Sequence, residues 1–414
     1  MCRIYLDDKR NHFWPGNVII RMNLGDKKIF ATLFFSIFAT VTGVGIVVPL
    51  LPVYAHELGA SGFLIGLIFG AFSLGRIFCL PYFGRLSDLK GRKPLIVPGL
   101  LAYAVISVGF VFFGEVKALI VLRFFQGIAS AMLLPIIQAY IGDITPPGKE
   151  GFTMGLFNMS MFSGLSLGPL LGGVIHDRFS LETSFISMGL LAFIGFLLCL
   201  LLLPPTRSEK NISSGKSPIE WKRLFFDRDI ASIFLFRFSH ILCIGIVWAF
   251  LPLFAKLKFS SSSSAIGILI MLGVLVSGAF HVPMGLLADK LNKRWMVIAG
   301  GLIVACAVFS FEWVQGFWGM VWASIFFGFG GGIAMPALMA IAVVKGSETD
   351  SMGSVMAILT MAHSVGMLCG SLIGGMMMDM FQLRVAFPLG ATVMAVTVVI
   401  FFVSTRPRRR LSKR

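Results

Sequence analysis

Apolar residues along this chain come in long blocks, not in alternation, and short polar or charged breaks separate the blocks. Twelve blocks occur, at 29–54, 62–83, 95–113, 117–141, 152–175, 183–203, 229–255, 265–287, 295–313, 317–344, 353–377 and 384–404. About 20 mostly apolar residues in a helix cross the hydrocarbon core of a bilayer. Lipid offers no water to stray backbone groups, so such a run satisfies them within a helix. The short alternating strands of a membrane β-barrel are missing from the pattern. The expectation is an all-α polytopic membrane protein with twelve transmembrane helices.

The longest polar break, 204–228, divides six blocks from six. Its Pro, Ser and Lys content suits a linker, with a short amphipathic stretch near Trp221. The predicted organisation is an N-terminal segment (1–28), a six-helix bundle (29–203), the linker (204–228), a second six-helix bundle (229–404) and a tail (405–414). The halves repeat each other. GRLSDLKGRK at 84–93 returns as GLLADKLNKR at 285–294, 201 residues later. Pro135 and Pro336 stand 201 apart, and Leu51-Pro52 and Leu251-Pro252 stand 200 apart. Gly164, Gly168, Gly172, Gly173 and Asp177 are matched 202 residues on by Gly366, Gly370, Gly374, Gly375 and Asp379. Two pseudo-symmetric bundles with a site between them is an architecture that secondary transporters use.

Composition narrows the class. The chain of 414 residues is 57% hydrophobic and 13% charged, more apolar than a water-soluble fold requires. Its net charge of +16 has a side. With the amino terminus placed inside, the inner segments hold Arg85, Lys90, Arg92, Lys93, Lys149, Lys290, Lys293, Arg294, Lys345, the linker cations and the tail RPRRRLSKR. The outer loops hold Lys117, Arg178, Lys256, Lys258 and Arg384. This bias orients both termini to the cytoplasm of a cell inner (plasma) membrane. It assigns the tail to anionic lipid headgroups and not to nucleic acid. Residues 1–28 are polar, carry both charge signs and do not read as a cleavable signal peptide; Met22 is an alternative start. The cysteines Cys2, Cys79, Cys199, Cys243, Cys306 and Cys369 have no paired spacing, so neither a disulfide frame nor a metal site is implied. No phosphate loop or catalytic nucleophile stands out, so neither ATP use, enzymatic chemistry nor a cofactor is expected. The serine run Ser260–Ser264 reads as a flexible outer loop.

Within the repeated loop, Gly84 and Gly91 supply the backbone freedom of a tight turn. Asp88 can cap exposed N–H groups or pair with Arg92 and Lys93. In the fifth block Gly164, Gly168 and Gly172 are spaced by four and form one bare helix face, open to a close neighbour. Pro169 removes a hydrogen bond there and can bend the helix. The eleventh block keeps the glycines with Ser371 in place of the proline.

These motifs resemble those of the major facilitator superfamily, and the resemblance spans all twelve blocks. The loop at 84–93 is similar to the family's motif A. That resemblance implies an inner latch between the bundles, with Gly84, Asp88, Gly91, Arg92 and Lys93 in the loop, Asp143 as the acidic partner of Arg92, and Asp289 in the second copy. Leu89 stands where the family has a basic residue. Gly155, Gly164 and GPLLGG at 168–173 (Gly168, Pro169, Gly172 and Gly173 its fixed positions) match the antiporter motif C. GVGIVVPLLPVY at 43–54 and RFFQG at 123–127 resemble signatures of twelve-helix drug:proton exporters, which implies roles for Arg123 and Gln126 in the substrate or proton pathway.

One departure bears on the cargo. All nineteen carboxylates fall in loops, termini, the linker or at helix ends. Arg76, Arg123 and Arg237 nevertheless lie inside blocks, as do His240, His281 and His363. Charges within the bilayer are functional candidates because they are expensive to place there. An interior that is cationic without protein acids predicts anionic or neutral amphipathic solutes. Arg237 and His240 share one face of the seventh helix. Arg76 can alternatively snorkel to the inner surface, and His281 and His363 can be hydrogen-bonded packing residues. Trp248 and Phe250 are candidates for a soft apolar site. Coupling to a proton gradient is open: His240 or His363 can exchange protons near neutral pH, whereas a lone guanidinium cannot. The reading is a monomeric efflux antiporter for a small-molecule solute, working by alternating access. Metabolite-anion uptake, or a receptor or assembly factor on a transporter scaffold, are its rivals.

Overall fold

The computed structural model describes residues 24–146, 150–204, 227–348 and 352–405. Most of the N-terminal segment, Lys149, nearly all of the linker with Trp221, and the basic tail from Arg406 lie outside the described residues. Within them, twelve helices are long and apolar enough to cross a membrane, and no strand occurs. They are α1 (Leu24–Glu57), α2 (Gly62–Lys90), α3 (Lys93–Phe112), α4 (Val116–Ile144), α5 (Thr153–Arg178), α6 (Leu181–Leu202), α7 (Arg228–Phe259), α8 (Ser263–Lys290), α9 (Lys293–Ser310), α10 (Phe317–Glu348), α11 (Val355–Met380) and α12 (Leu383–Ser404). Each coincides with one predicted block to within a few residues.

Two helices are interrupted in ways the hydrophobic pattern does not show. α1 turns at Val48–Leu50, where Pro49 cannot donate to the ladder, and resumes as Leu51–Glu57. α4 turns at Met132–Leu133 and resumes with Pro135 in its first turn, where a missing N–H costs nothing. The expected turn at 84–93 is also tighter than predicted. α2 runs through Gly84 to Lys90, and only Gly91, at φ +89°, leaves the helix. That conformation disfavours any residue with a Cβ. Gly84 is helical with open space where a side chain would stand.

Helix packing repeats between the halves. In the first, α1 packs on α5 and α6, α2 on α4, and α3 on α6 and α4. In the second, α7 packs on α11 and α12, α8 on α10, and α9 on α12 and α10. Aromatic pairs sit inside each bundle: Phe110 stacks on Phe185 at 5.3 Å, and Phe236 meets Phe401 at 5.5 Å. The halves join along two further seams, α2 with α11 and α5 with α8.

Both seams are tight at one face of the molecule. α1 begins and α12 ends at what is here the terminal face; the other is the opposite face. At the opposite end of the seams, Gly62 and Gly66 of α2 approach the backbone of Gly375 and Ser371, and Gly173 approaches that of Ser263. The segment Leu51–Glu57 also packs on α7 there. Toward the terminal face, Gly84 of α2 and Gly155 of α5 have no atom within 4 Å of a would-be side chain. The halves therefore meet closely at the opposite face, whereas Gly84 and Gly155 show no such close approach.

Candidate functional site

Intramembrane cations lie on α2, α7, α8 and α11, on or beside the two seams. Arg237 of α7 is half-buried, about 14 Å along the helix from the terminal end at Arg228. Its Nη2 donates to Nδ1 of His363 on α11 at 3.3 Å, and Nη1 reaches Sδ of Met335 on α10 at 2.8 Å. A guanidinium only donates, so Nδ1 of His363 accepts and its proton sits on Nε2. Arg76 of α2 and His240 of α7 lie within electrostatic range of His363, and His281 within range of His240 and Arg237. Arg76 lies on α2, the helix that packs on α11 across the seam, and its Nε is buried.

His240 is buried, its ring stacked on Phe327 of α10 at 6.1 Å. Nδ1 of His281 donates to the Ser277 carbonyl, 2.8 Å away, and its ring lies 4.7 Å from Phe162 of α5, across the seam. Nε of Arg76, Nε of Arg237 and Nδ1 of His240 are buried without a protein partner. Among the described residues, the bonds of this cluster are to an imidazole, a thioether and a backbone carbonyl, and none is to a carboxylate.

Arg123 is elsewhere. It is buried inside the first bundle, its guanidinium over the rings of Phe72 at 4.7 Å and Phe69 at 5.5 Å. Nη1 donates to Oε1 of Gln126 at 2.9 Å, and Gln126 donates in turn to Oγ of Ser107 at 3.3 Å. The Arg123 network belongs to the contact of α2, α3 and α4, separate from the Arg237 cluster. Of the aromatic candidates, Trp248 is half-buried against the core, whereas Phe250 is fully buried and packs its ring on Gly374, so it faces its own bundle.

The loop at 84–93 is tied together by Arg92. Nη1 donates to Asp88 at 2.5 Å and Ser87 at 2.7 Å, and Nε donates to Asp143 of α4 at 3.0 Å. Burial works against this charge, but the bonds to Asp143 and Asp88 outweigh it and hold the guanidinium above its ordinary value. All these groups lie in the first half. Lys93 turns to α6 instead, where its Nζ donates to the carbonyls of Leu200 and Leu203 and caps the helix. Arg294, 201 residues on, donates to the Phe402 carbonyl at the end of α12. Asp289 is exposed at the terminal end of α8.

The glycine face of α5 lies on α1. A side chain at Gly168 or Gly172 would meet the carbonyl of Thr42 at 2.5 Å or of Ile46 at 2.2 Å. Gly164 meets Phe38 and Gly173 meets Ser263 of α8, while Pro169 stands against Gly45. Gly366 and Gly370 of α11 lie on α7 in the same way.

Sequence comparison agrees with this arrangement. The family model for the Major Facilitator Superfamily matches twice, at 33–256 and 233–414, one match per half. The chain belongs to the major facilitator superfamily. An uncharacterised MFS-type transporter of Methanocaldococcus jannaschii is 28% identical over 91% of this chain and 98% of its own length. Multidrug resistance protein 1 of Bacillus subtilis is 28% identical over 84% of this chain and 89% of its own. With the motifs above, this puts the protein near the drug:proton antiporter branch of the superfamily. Among solved structures, a bacterial homologue of the human lysosomal transporter Spinster, inward-facing and occupied, superposes with a TM-score of 0.79 at 15% identity, over 93% and 97% of the two chains.

As a member of this superfamily the protein is a multi-pass membrane transporter of small molecules and not an enzyme. Sequence reasoning named the cations of the Arg237 cluster but not the neighbours that the structure gives them. Met335, Phe327 and Phe162 carry no signal that separates them from lipid-facing or packing residues of the same types. The capping roles of Lys93 and Arg294 were legible in principle, since the 201-residue repeat aligns them.

Proposed function

We propose that this transporter carries small amphipathic or anionic solutes across the cytoplasmic membrane by alternating access, in the direction of efflux, with the terminal face in the cytoplasm. The observation that carries the reading is the Arg237 cluster: five basic side chains from α2, α7, α8 and α11, three of them with a buried nitrogen lacking a protein partner. A carboxylate or sulfonate would satisfy those donors and offset the cost of desolvating the cations. Efflux is supported by the motif-C glycine pattern and by the multidrug relative.

One observation favours a second reading, anion uptake. Nδ1 of His363 accepts from Arg237; a proton there would set two donors face to face, and an anion between them would favour both. Solute and proton then bind together and travel in the same direction. A cavity carboxylate works differently, because a cationic drug and a proton compete for it.

Counterflow in proteoliposomes tests both readings. Organic anions should compete and quaternary ammonium dyes should not; the reverse order of competition sinks the anion site. Arg237→Gln should weaken half-saturation for the anion by about 10–100-fold, the loss of a charge-assisted hydrogen bond. A pH gradient that drives anions toward the alkaline side marks co-transport, and movement toward the acid side marks exchange.

A further inference from the structure

The repeated aspartates at the ends of α5 and α11 take no part in the site, yet each reaches into the other half. Asp379 accepts from the amides of Gly62 at 2.6 Å and Phe63 at 2.8 Å, the first residues of α2. Asp177 accepts from the amides of Ser263 at 3.1 Å and Ser264 at 2.8 Å, the first residues of α8. The two arrangements are related by the internal repeat. Each helix start also has its own cap, Ser61 accepting from Leu64 and Ser262 from Ala265. The serine run at 260–264, expected as a flexible loop, is a tight junction: Ser260 is the left-handed cap of α7, Ser262 caps α8, and Ser263 and Ser264 begin it.

Physically this is a pair of clasps. A helix N-terminus presents unsatisfied N–H groups and about half a positive charge, so a carboxylate seated on it is favourable on both counts. Close backbone approach makes the seating possible: a side chain at Gly62 would meet the Gly375 carbonyl at 2.5 Å, and one at Gly375 would meet that of Gly62 at 2.2 Å. From this geometry we infer that Asp177 and Asp379 are the latch of the opposite face: they hold it closed in this state, and both must leave their helix starts before the site can face outward. The inference rests on the alternating-access reading but not on the identity of the solute.

The clasps are not equal. Beside Asp177, Nδ1 of His176 bonds to Oγ of Ser263 at 2.7 Å. The residue beside Asp379 is Met378, which has no such bond to give. Loss of charge at Asp379 should therefore loosen the face more than the same loss at Asp177.

Ser371 is a suitable reporter. It is fully buried on the α2–α11 seam, with its carbonyl against Gly66 and its hydroxyl 3.6 Å from where a Gly70 side chain would stand. Ser371→Cys in the full chain, reconstituted in lipid nanodiscs, is reacted with a water-soluble maleimide and read peptide by peptide by mass spectrometry. Native Cys199 and Cys243, both fully buried in the bundles, report any general loosening. Asp379→Asn keeps shape and one acceptor but removes charge; it should raise the labelling rate at Cys-substituted 371 about fivefold. Asp177→Asn should raise it less, and the double variant more than tenfold. Glu182→Gln, an exposed carboxylate near Asp177 that seats on neither foreign helix, should leave the rate unchanged. Unchanged rates in the double variant overturn the latch, as does an equal rise at Cys243. Should Asp379→Asn lose the fold, Asp177→Asn alone is read against the same two outcomes.

Discussion

Arg123 and Arg237 are both arginines inside the bilayer, each with a buried Nε that has no partner among the described residues, and they differ in their other neighbours. Arg123 is enclosed by Phe69, Phe72 and Gln126, and its hydrogen bond to Gln126 is internal to one bundle. Arg237 is half-buried at the seam, with a histidine and a thioether as partners. Gln126→Leu should therefore act on stability: a buried guanidinium loses its acceptor, at about 2 kcal/mol. It should appear as a fall of several degrees in melting temperature in detergent. Arg123→Leu combined with Gln126→Leu should cost less than the sum of the two, because the charge that needed the acceptor is gone. Strict additivity would mean the bond contributes nothing. Residue type and depth were legible in the sequence, and they gave these two arginines the same standing. The separation lies in which helices surround them, which no local pattern records.

At the scale of elements, the motif on α5 joins positions with different physical demands. Gly172 lies where a methyl group would stand 2.2 Å from the Ile46 carbonyl, whereas Gly155 has open space. Gly172→Ala should push α5 off α1 and cost about 1–3 kcal/mol, the usual range for overpacking. Melting temperature and transport rate should fall together. Gly155→Ala should leave the melting temperature unchanged, since it meets nothing and Ala favours a helix. A drop at Gly155 equal to that at Gly172 would refute the packing account. The glycine spacing announced a close helix partner, and the partner proved to be α1. The hydrophobic blocks located all twelve helices because length and apolarity alone decide whether a segment can cross. They were silent about the turns at Val48–Leu50 and Met132–Leu133, since Pro49 and Pro135 look no different in sequence from Pro81 or Pro252, which sit inside unbroken helices.

At the scale of the whole molecule, the alternating access proposed above would use the seams α2–α11 and α5–α8 as pivots. Each is closed at the opposite face by a carboxylate on a helix start, and the glycines toward the terminal ends of α2 and α5, Gly84 and Gly155, show no such close approach. At the terminal face, Arg92 bonds to Asp88, Ser87 and Asp143 and so ties the start of α3 to the ends of α2 and α4. Two rigid bundles moving about such pivots must open one face as they close the other. Spin labels test this directly. One pair, Leu89→Cys with Leu291→Cys, sits on exposed residues of the terminal face; the other, Glu115→Cys with Trp313→Cys, sits on exposed residues of the opposite face. With exposed Cys306 changed to Ser, Asp177→Asn/Asp379→Asn should shorten the first distance and lengthen the second. The populations of the two shifts should agree. Distances that lengthen together would describe bundles drifting apart, and a change at one face alone would describe a local gate; either result excludes rigid rocking about the two seams.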